Sequence, residues 1–147
     1  MTFQRTISPV DGSVYVERTL AAPAQIEAAL ENARLAQRLW RSVPMTERAA
    51  ILGRFCDAFE SRRDAIAEEL AWQMGRPIRY APNEVRGTLE RARHMIAIAP
   101  DALADIDVGR KEGFRRFLRR EPLGVVFTVA AWNYPYLIAV NSVVTAM

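Results

Sequence analysis

The residue best suited to chemistry in this chain is Asn133, in the run Val129-Ala130-Ala131-Trp132-Asn133-Tyr134-Pro135. Its carboxamide is a neutral donor. Such a group can hydrogen-bond an oxyanion as charge develops, whereas a cation would hold the ground state as well. The same residue type commonly caps a helix, and on residue type alone both roles stand. One cysteine and one histidine complete the nucleophile and ligand inventory. Cys56 falls at helical spacing with Leu52, Phe55 and Phe59, the pattern of a core position. His94 lies off the apolar stripe of its segment and reads as a solvated helix residue. A zinc site needs three or four soft ligands, which a lone Cys and a lone His do not supply. A single cysteine also excludes an internal disulfide and fits a reducing, cytoplasmic setting.

Those residues must be held by elements that the sequence also outlines. Asp11-Gly12 is a tight-turn pair flanked by Val10 and by alternating Val14 and Val16, which predicts a hairpin. A helix is expected from about Pro23 to Trp40, with Ile26, Ala29, Leu30, Ala33, Ala36 and Trp40 on one face. Thr46 to Met74 stays helical, with Ile66, Leu70 and Met74 continuing the stripe of Leu52. Ser61 and Asp64 have capping-box spacing, so two helices are expected to meet at Ser61. Gly75 and Pro77 give the stop. A further helix is expected from about Pro82 to Ala99, presenting Val85, Leu89, Ala92 and Ile96, with Pro100 interrupting or ending it. After a polar loop over 105–113, the basic run 114–123 reads as strand-like.

Val125 to Ala130 is an unbroken β-branched and aromatic run, expected to be a strand buried on both faces. Trp132-Asn133-Tyr134-Pro135 follows as a loop, because a residue before proline avoids the helical region. Tyr136 to Met147 resumes as a buried helix. Strand, loop and helix in that order make a βα unit, and ligands of open α/β sheets sit at the strand's carboxyl end. Asn133 occupies that place. A strand of this kind needs neighbours, and without them it leaves an apolar surface exposed.

Composition narrows the partners. The charge-free stretch from Gly124 to Met147 is apolar enough to raise a membrane span, but a crossing helix needs about 20 residues and the break at Asn133-Tyr134-Pro135 leaves neither half long enough. No membrane association is expected, and the first residues carry no apolar signal region. The net charge of +3 is a mild excess. The run Gly109 to Glu121 interleaves arginines with Phe114 and Phe117, yet no recognition motif accompanies it, so no nucleic-acid partner is expected.

The run Glu121-Pro122-Leu123-Gly124-Val125 through Trp132-Asn133-Tyr134-Pro135 resembles a segment of the aldehyde dehydrogenase superfamily that ends in (P/A)-W-N-(F/Y)-P. Trp40, Pro44 and Arg48 fit the family's W-x(3)-P-x(3)-R spacing. Met74-Gly75-Arg76-Pro77 stands where the family usually has T-G-K-P, followed by Glu84-Val85, and Arg76 in place of lysine reads as a surface-type change. These motifs run in consistent order over nearly the whole chain. The resemblance implies an α/β fold, the N-terminal part of a Rossmann-type cofactor domain over 1–147: a hairpin, several helices, a bridging strand and the first parallel βα unit, with no catalytic domain.

It also implies roles. Asn133 matches the asparagine whose amide points at the oxyanion of the thiohemiacetal. Val129, Ala130, Ala131 and Trp132, with Asn133, match positions that contact NAD or NADP, and Tyr134 matches an aromatic position at the aldehyde channel. Ala131 stands where many members have proline, which removes a constraint on φ. The run 114–123 resembles a strand that pairs across a subunit interface, implying a homo-oligomer when complete. The implied reaction oxidises a small-molecule aldehyde to a carboxylic acid. The family's nucleophilic cysteine and general-base glutamate lie downstream of Trp132-Asn133-Tyr134-Pro135, so the 147 residues alone are expected to be inactive. The alternative is a non-catalytic helical module that uses its apolar C-terminal stretch to bind a partner.

Overall fold

The computed structural model describes residues 2–147. Strands β1 (Phe3–Ile7) and β2 (Val14–Thr19) form the expected antiparallel hairpin. Its turn is built by Asp11, whose carboxylate accepts the Ser13 N–H at 3.0 Å, and by Gly12 at φ 76°. Such a φ favours glycine because a side chain there would crowd the carbonyl. Helices α1 (Pro23–Trp40), α2 (Met45–Ser61), α3 (Arg63–Met74) and α4 (Ala81–Ala102) follow. A two-residue pairing of β3 (Ile106–Asp107) with β4 (Phe117–Leu118) precedes α5 (Pro135–Ala146).

The core is helical. α4 lies centrally, against α2, α3 and α5. Its buried face carries Ala81, Val85, Leu89 and Ala92, which meet Leu52 and Cys56 of α2, Ile66, Ala67 and Leu70 of α3, and Val140 and Val144 of α5. These include most of the stripes expected from the 3.6-residue period. α4 and α5 approach closely at Gly87, where a Cβ would stand 3.1 Å from the Leu137 side chain.

The Trp40, Arg48 spacing resolves into a staple. Arg48 donates from Nη2 to the Trp40 carbonyl at 2.8 Å and from Nε to the Val43 carbonyl at 3.0 Å, and it lies over the Trp40 ring. The turn between α1 and α2 is thereby closed by one side chain that satisfies helix-end carbonyls. At the far end of α3, Gly75 adopts the left-handed φ of 73° that ends the helix. Ser8, fully buried, donates to the Trp72 carbonyl at 2.7 Å and so docks the hairpin on α3.

Several expectations are corrected. Val125 to Ala130 forms no strand, and it is largely exposed rather than buried on both faces. A strand exists by virtue of its ladder, and no other described segment pairs with this one. The run 114–123 contributes only Phe117–Leu118 to a strand, and its partner Ile106–Asp107 lies inside the stretch read as a polar loop. The apolar face of α1 is not covered: none of its residues is buried among the described residues. Phe55, placed on the core stripe, is exposed at the edge of that stripe. Ser61 does not cap α3. It remains the last helical residue of α2, and its hydroxyl turns back to the Ala58 carbonyl at 2.9 Å while the chain bends at Arg62. Pro100 neither ends nor interrupts α4. Its missing N–H falls in the last turn, which the Leu103 N–H closes onto the Ala99 carbonyl at 2.9 Å.

Candidate functional site

A buried carboxylate organises the loop that carries Asn133. Glu84 projects from the core face of α4 between Ala81, Val85 and Thr88, and its side chain is fully buried. A charge there is tolerable only if paired and hydrogen-bonded. Glu84 Oε1 accepts the Tyr136 N–H at 2.9 Å and the Leu137 N–H at 3.4 Å. These belong to the second and third residues of α5, and Pro135 in the first position has no N–H to satisfy. The carboxylate therefore caps α5 from another helix and sits at the positive end of its dipole.

The other oxygen, Oε2, accepts from Arg76 Nη1. Arg76 reaches this position because Gly75 reverses the chain at the end of α3. A Cβ at Gly75 would lie 3.0 Å from the Pro9 ring, so the hairpin and the arginine turn are packed against one another. The second arm of the guanidinium, Nη2, donates to the Asn133 carbonyl at 2.5 Å, and its carbon lies 4.2 Å above the centre of the Tyr134 ring. Glu84, Arg76, the Asn133 main chain and the Tyr134 ring thus form one connected unit. A planar fork that pairs and stacks at once is what guanidinium provides and an ammonium does not.

Above this base the Asn133 side chain is exposed and makes no hydrogen bond among the described residues. The capping role open to it on residue type is not taken: α5 has no side-chain cap from its own chain neighbours, and Tyr134 occupies the N-cap position. Its ψ of 67° is that of a residue held off the helical region by the following proline. Val129 and Ala130 are exposed, Ala131 is half-buried, and Trp132 is 87% exposed. The run 129–132 makes no main-chain hydrogen bond among the described residues. Upstream, the Thr128 and Ser142 hydroxyls meet at 2.8 Å, tying the extended segment to α5.

Two residues of this unit were not legible as such. Arg76, read from the sequence as a surface-type change, is only 12% exposed and holds the loop. Glu84 was visible as part of the motif, but its role was not. The available signal was a carboxylate set within the apolar stripe of Val85, Leu89 and Ala92, where an unpaired charge would be costly.

Cys56 is buried, and that burial pushes its thiol above the ordinary range. A thiol held neutral in a core is a poor nucleophile. His94 is exposed on α4, as expected. Tyr136 packs edge-on against Phe59 at 5.3 Å, and burial raises its phenol, with Glu69 and Glu84 adding to the effect. No helix among the described residues is long and apolar enough to cross a membrane.

The helical layer and the run leading into α5 define a segment of an α/β protein, with Asn133 in the loop before α5. The sequence matches the profile of the aldehyde dehydrogenase family over residues 2–147, and the chain belongs to that family, corresponding to its N-terminal segment. It is 31% identical over 144 residues to a fluoroacetaldehyde dehydrogenase of Streptantibioticus cattleyicolor, a match that covers 95% of this chain and 28% of that protein. Among solved structures, it resembles a NAD-dependent benzaldehyde dehydrogenase from Corynebacterium glutamicum (TM-score 0.88, 29% identity), covering 99% of this chain and 32% of the other. It also resembles an NADP-dependent glyceraldehyde-3-phosphate dehydrogenase from Bacillus halodurans solved with NADP, at TM-score 0.87 and 26% identity, covering 99% and 32%. The chain therefore spans less than a third of the length of these relatives.

Proposed function

We propose that these residues supply the oxyanion side of an NAD(P)-dependent aldehyde dehydrogenase, which oxidises an aldehyde to a carboxylic acid. The observation that carries this reading is an asparagine whose main chain is pinned while its carboxamide stays free. Asn133 is fixed by Arg76 through its carbonyl, and by Tyr134 and Pro135 entering α5, yet its side chain has no hydrogen-bond partner among the described residues. A donor preorganised in this way stabilises charge that appears on a substrate oxygen without reorganisation at the moment of reaction.

The dinucleotide fits the same segment. The main chain of Val129 to Trp132 has its polar groups uncommitted, and Ala130 and Ala131 raise no bulk against close approach. Val129, Ala130, Ala131, Trp132 and Asn133 would line the cofactor, which when bound accepts hydride from the substrate carbon. Tyr134, its ring backed by Arg76, would border the aldehyde channel. The run 114–123 would serve as the oligomerisation strand of a complete, cytoplasmic homo-oligomer. The sole cysteine is buried in the helical core, so on this reading the nucleophile would come from outside these residues, and the 147-residue chain alone would be inactive.

The test is co-expression with the complementary C-terminal portion of a relative. NAD(P)-dependent aldehyde oxidation is expected from the pair and from neither piece alone. In the active pair, Asn133→Ala should lower kcat by about 10²–10³-fold, the usual loss of one oxyanion donor. Full activity in that variant would remove Asn133 from the chemistry. Stable pairing without activity would favour a non-catalytic interaction module, a reading supported by the exposure of Leu123, Phe127 and Trp132.

A further inference from the structure

We propose that Arg76 is the positioning residue of the Asn133 loop, acting as a two-armed clamp between the buried Glu84 carboxylate and the Asn133 carbonyl. Three contacts converge on the one side chain: Nη1 on Glu84, Nη2 on the Asn133 carbonyl at 2.5 Å, and the guanidinium face 4.2 Å over Tyr134. Each anchors a different point. Glu84 belongs to rigid α4 and caps α5, the Asn133 carbonyl is the loop's own main chain, and the Tyr134 ring is its exit. Without the fork, residues 129–133 have no main-chain hydrogen bond to a helix among the described residues, and the nearest tie is the hydroxyl pair of Thr128 and Ser142.

A lysine at position 76 would not do the same work. An ammonium is a point charge. It can pair with Glu84, but it cannot also reach a carbonyl on the far side while lying flat on a ring. Alanine stands at position 131, so the backbone there lacks the restraint on φ that a proline would bring. The proposal rests on the reading of Asn133 above only for its catalytic consequence, and the clamp itself is measurable without activity.

Local opening of the loop is read by chymotrypsin. Trp132 and Phe127 are both exposed aromatic cleavage sites, 87% and 89%, but only Trp132 adjoins the clamped carbonyl. The ratio of cleavage after Trp132 to cleavage after Phe127 in the same chain cancels differences in global stability. In the native chain, Trp132 should be cut more slowly than Phe127. Arg76→Ala alone leaves Glu84 buried without its cation and can unfold the protein, so the change is made in a Glu84→Gln background. Gln keeps an oxygen for the Tyr136 N–H and buries no charge. In that background Arg76→Ala should raise the ratio about tenfold, as protection of a locally closed segment is lost.

Arg76→Lys should raise the ratio similarly while leaving the melting temperature close to native, because the charge pair with Glu84 survives. Three outcomes overturn the proposal: no protection of Trp132 in the native chain, an unchanged ratio on Arg76→Ala in the Glu84→Gln background, or full protection in Arg76→Lys. Asn133→Ala separates this from the oxyanion reading. It should leave the ratio intact, since the clamped atom is main chain, while lowering kcat of the complemented enzyme by about 10²–10³-fold.

Discussion

Replacing Glu84 by alanine tests the energetics of the loop's foundation. Two consequences follow from the geometry. The guanidinium of Arg76, 12% exposed, loses its counter-charge, and the N–H groups of Tyr136 and Leu137 lose their acceptor. Breaking a buried ion pair from one side typically costs about 3–5 kcal/mol, and removing a helix cap costs about 1 kcal/mol. The two share one carboxylate and do not add. Water reaching the partly exposed arginine moves the total toward the low end, so we expect a loss of about 3–4 kcal/mol. That is a large share of the roughly 5–15 kcal/mol that holds a domain folded. Glu84→Gln keeps the cap acceptor but gives up the charge, and should cost about 1–3 kcal/mol. Urea unfolding followed by far-ultraviolet circular dichroism measures both. A Glu84→Ala midpoint within about 1 kcal/mol of native, or no lower than that of Glu84→Gln, would refute the assignment of Glu84 as both cap and counter-ion.

Three further outcomes are expected. Thr88 is buried and its hydroxyl has no partner among the described residues, so Thr88→Val, which removes the unpaired hydroxyl at equal size, should raise stability by about 1 kcal/mol; a loss in the same urea titration would show a partner there. Gly75→Ala meets both the φ of 73° and the Pro9 ring at 3.0 Å, and should cost about 1–2 kcal/mol, whereas a neutral result would mean the hairpin is not docked on α3. Burial raises the Tyr136 phenol above its ordinary 10.0. Below that pH both folded and unfolded states carry the proton and stability is unaffected. Above it the unfolded tyrosine ionises first, and stability falls as pH rises through the folded value. The alkaline loss should be smaller in Tyr136→Phe, as judged by urea midpoints at about pH 9 and pH 11, and equal losses would place the phenol in solvent.

The helices were legible because their signals are local. Pro23, Gly75 and the 3.6-residue stripes of Leu52, Cys56, Val85 and Leu89 act within a few residues, and the structure ends and buries those elements accordingly. Val125 to Ala130 marks the limit of that logic. A β-branched run states how a segment packs once paired, but the pairing belongs to other segments, and among the described residues none lies beside it. The stripe of α1 failed to be buried for the same reason: an amphipathic face specifies that something covers it, not what.

The site divides along the same line. Asn133 could be singled out from its chemistry and from its place after an extended run, because both are properties of the local sequence. Its support could not, because Arg76 and Glu84 lie 57 and 49 residues away (133 − 76 and 133 − 84) and act through a contact that only the packing of α4 on α5 creates. Reading Arg76 as a surface change treated it by residue type, since arginine is rarely buried. The burial of a charged pair is selected by its partner, and here the partner is doubly occupied. One oxygen of Glu84 caps α5 and the other is free to pair with a cation, which offsets the cost of burying the carboxylate. A guanidinium brings a second arm that the cap does not need, and that arm falls on the Asn133 carbonyl. The restraint on the loop therefore comes from the same side chain that partners the buried cap, and its second arm, on the Asn133 carbonyl, is the one whose loss loosens the loop.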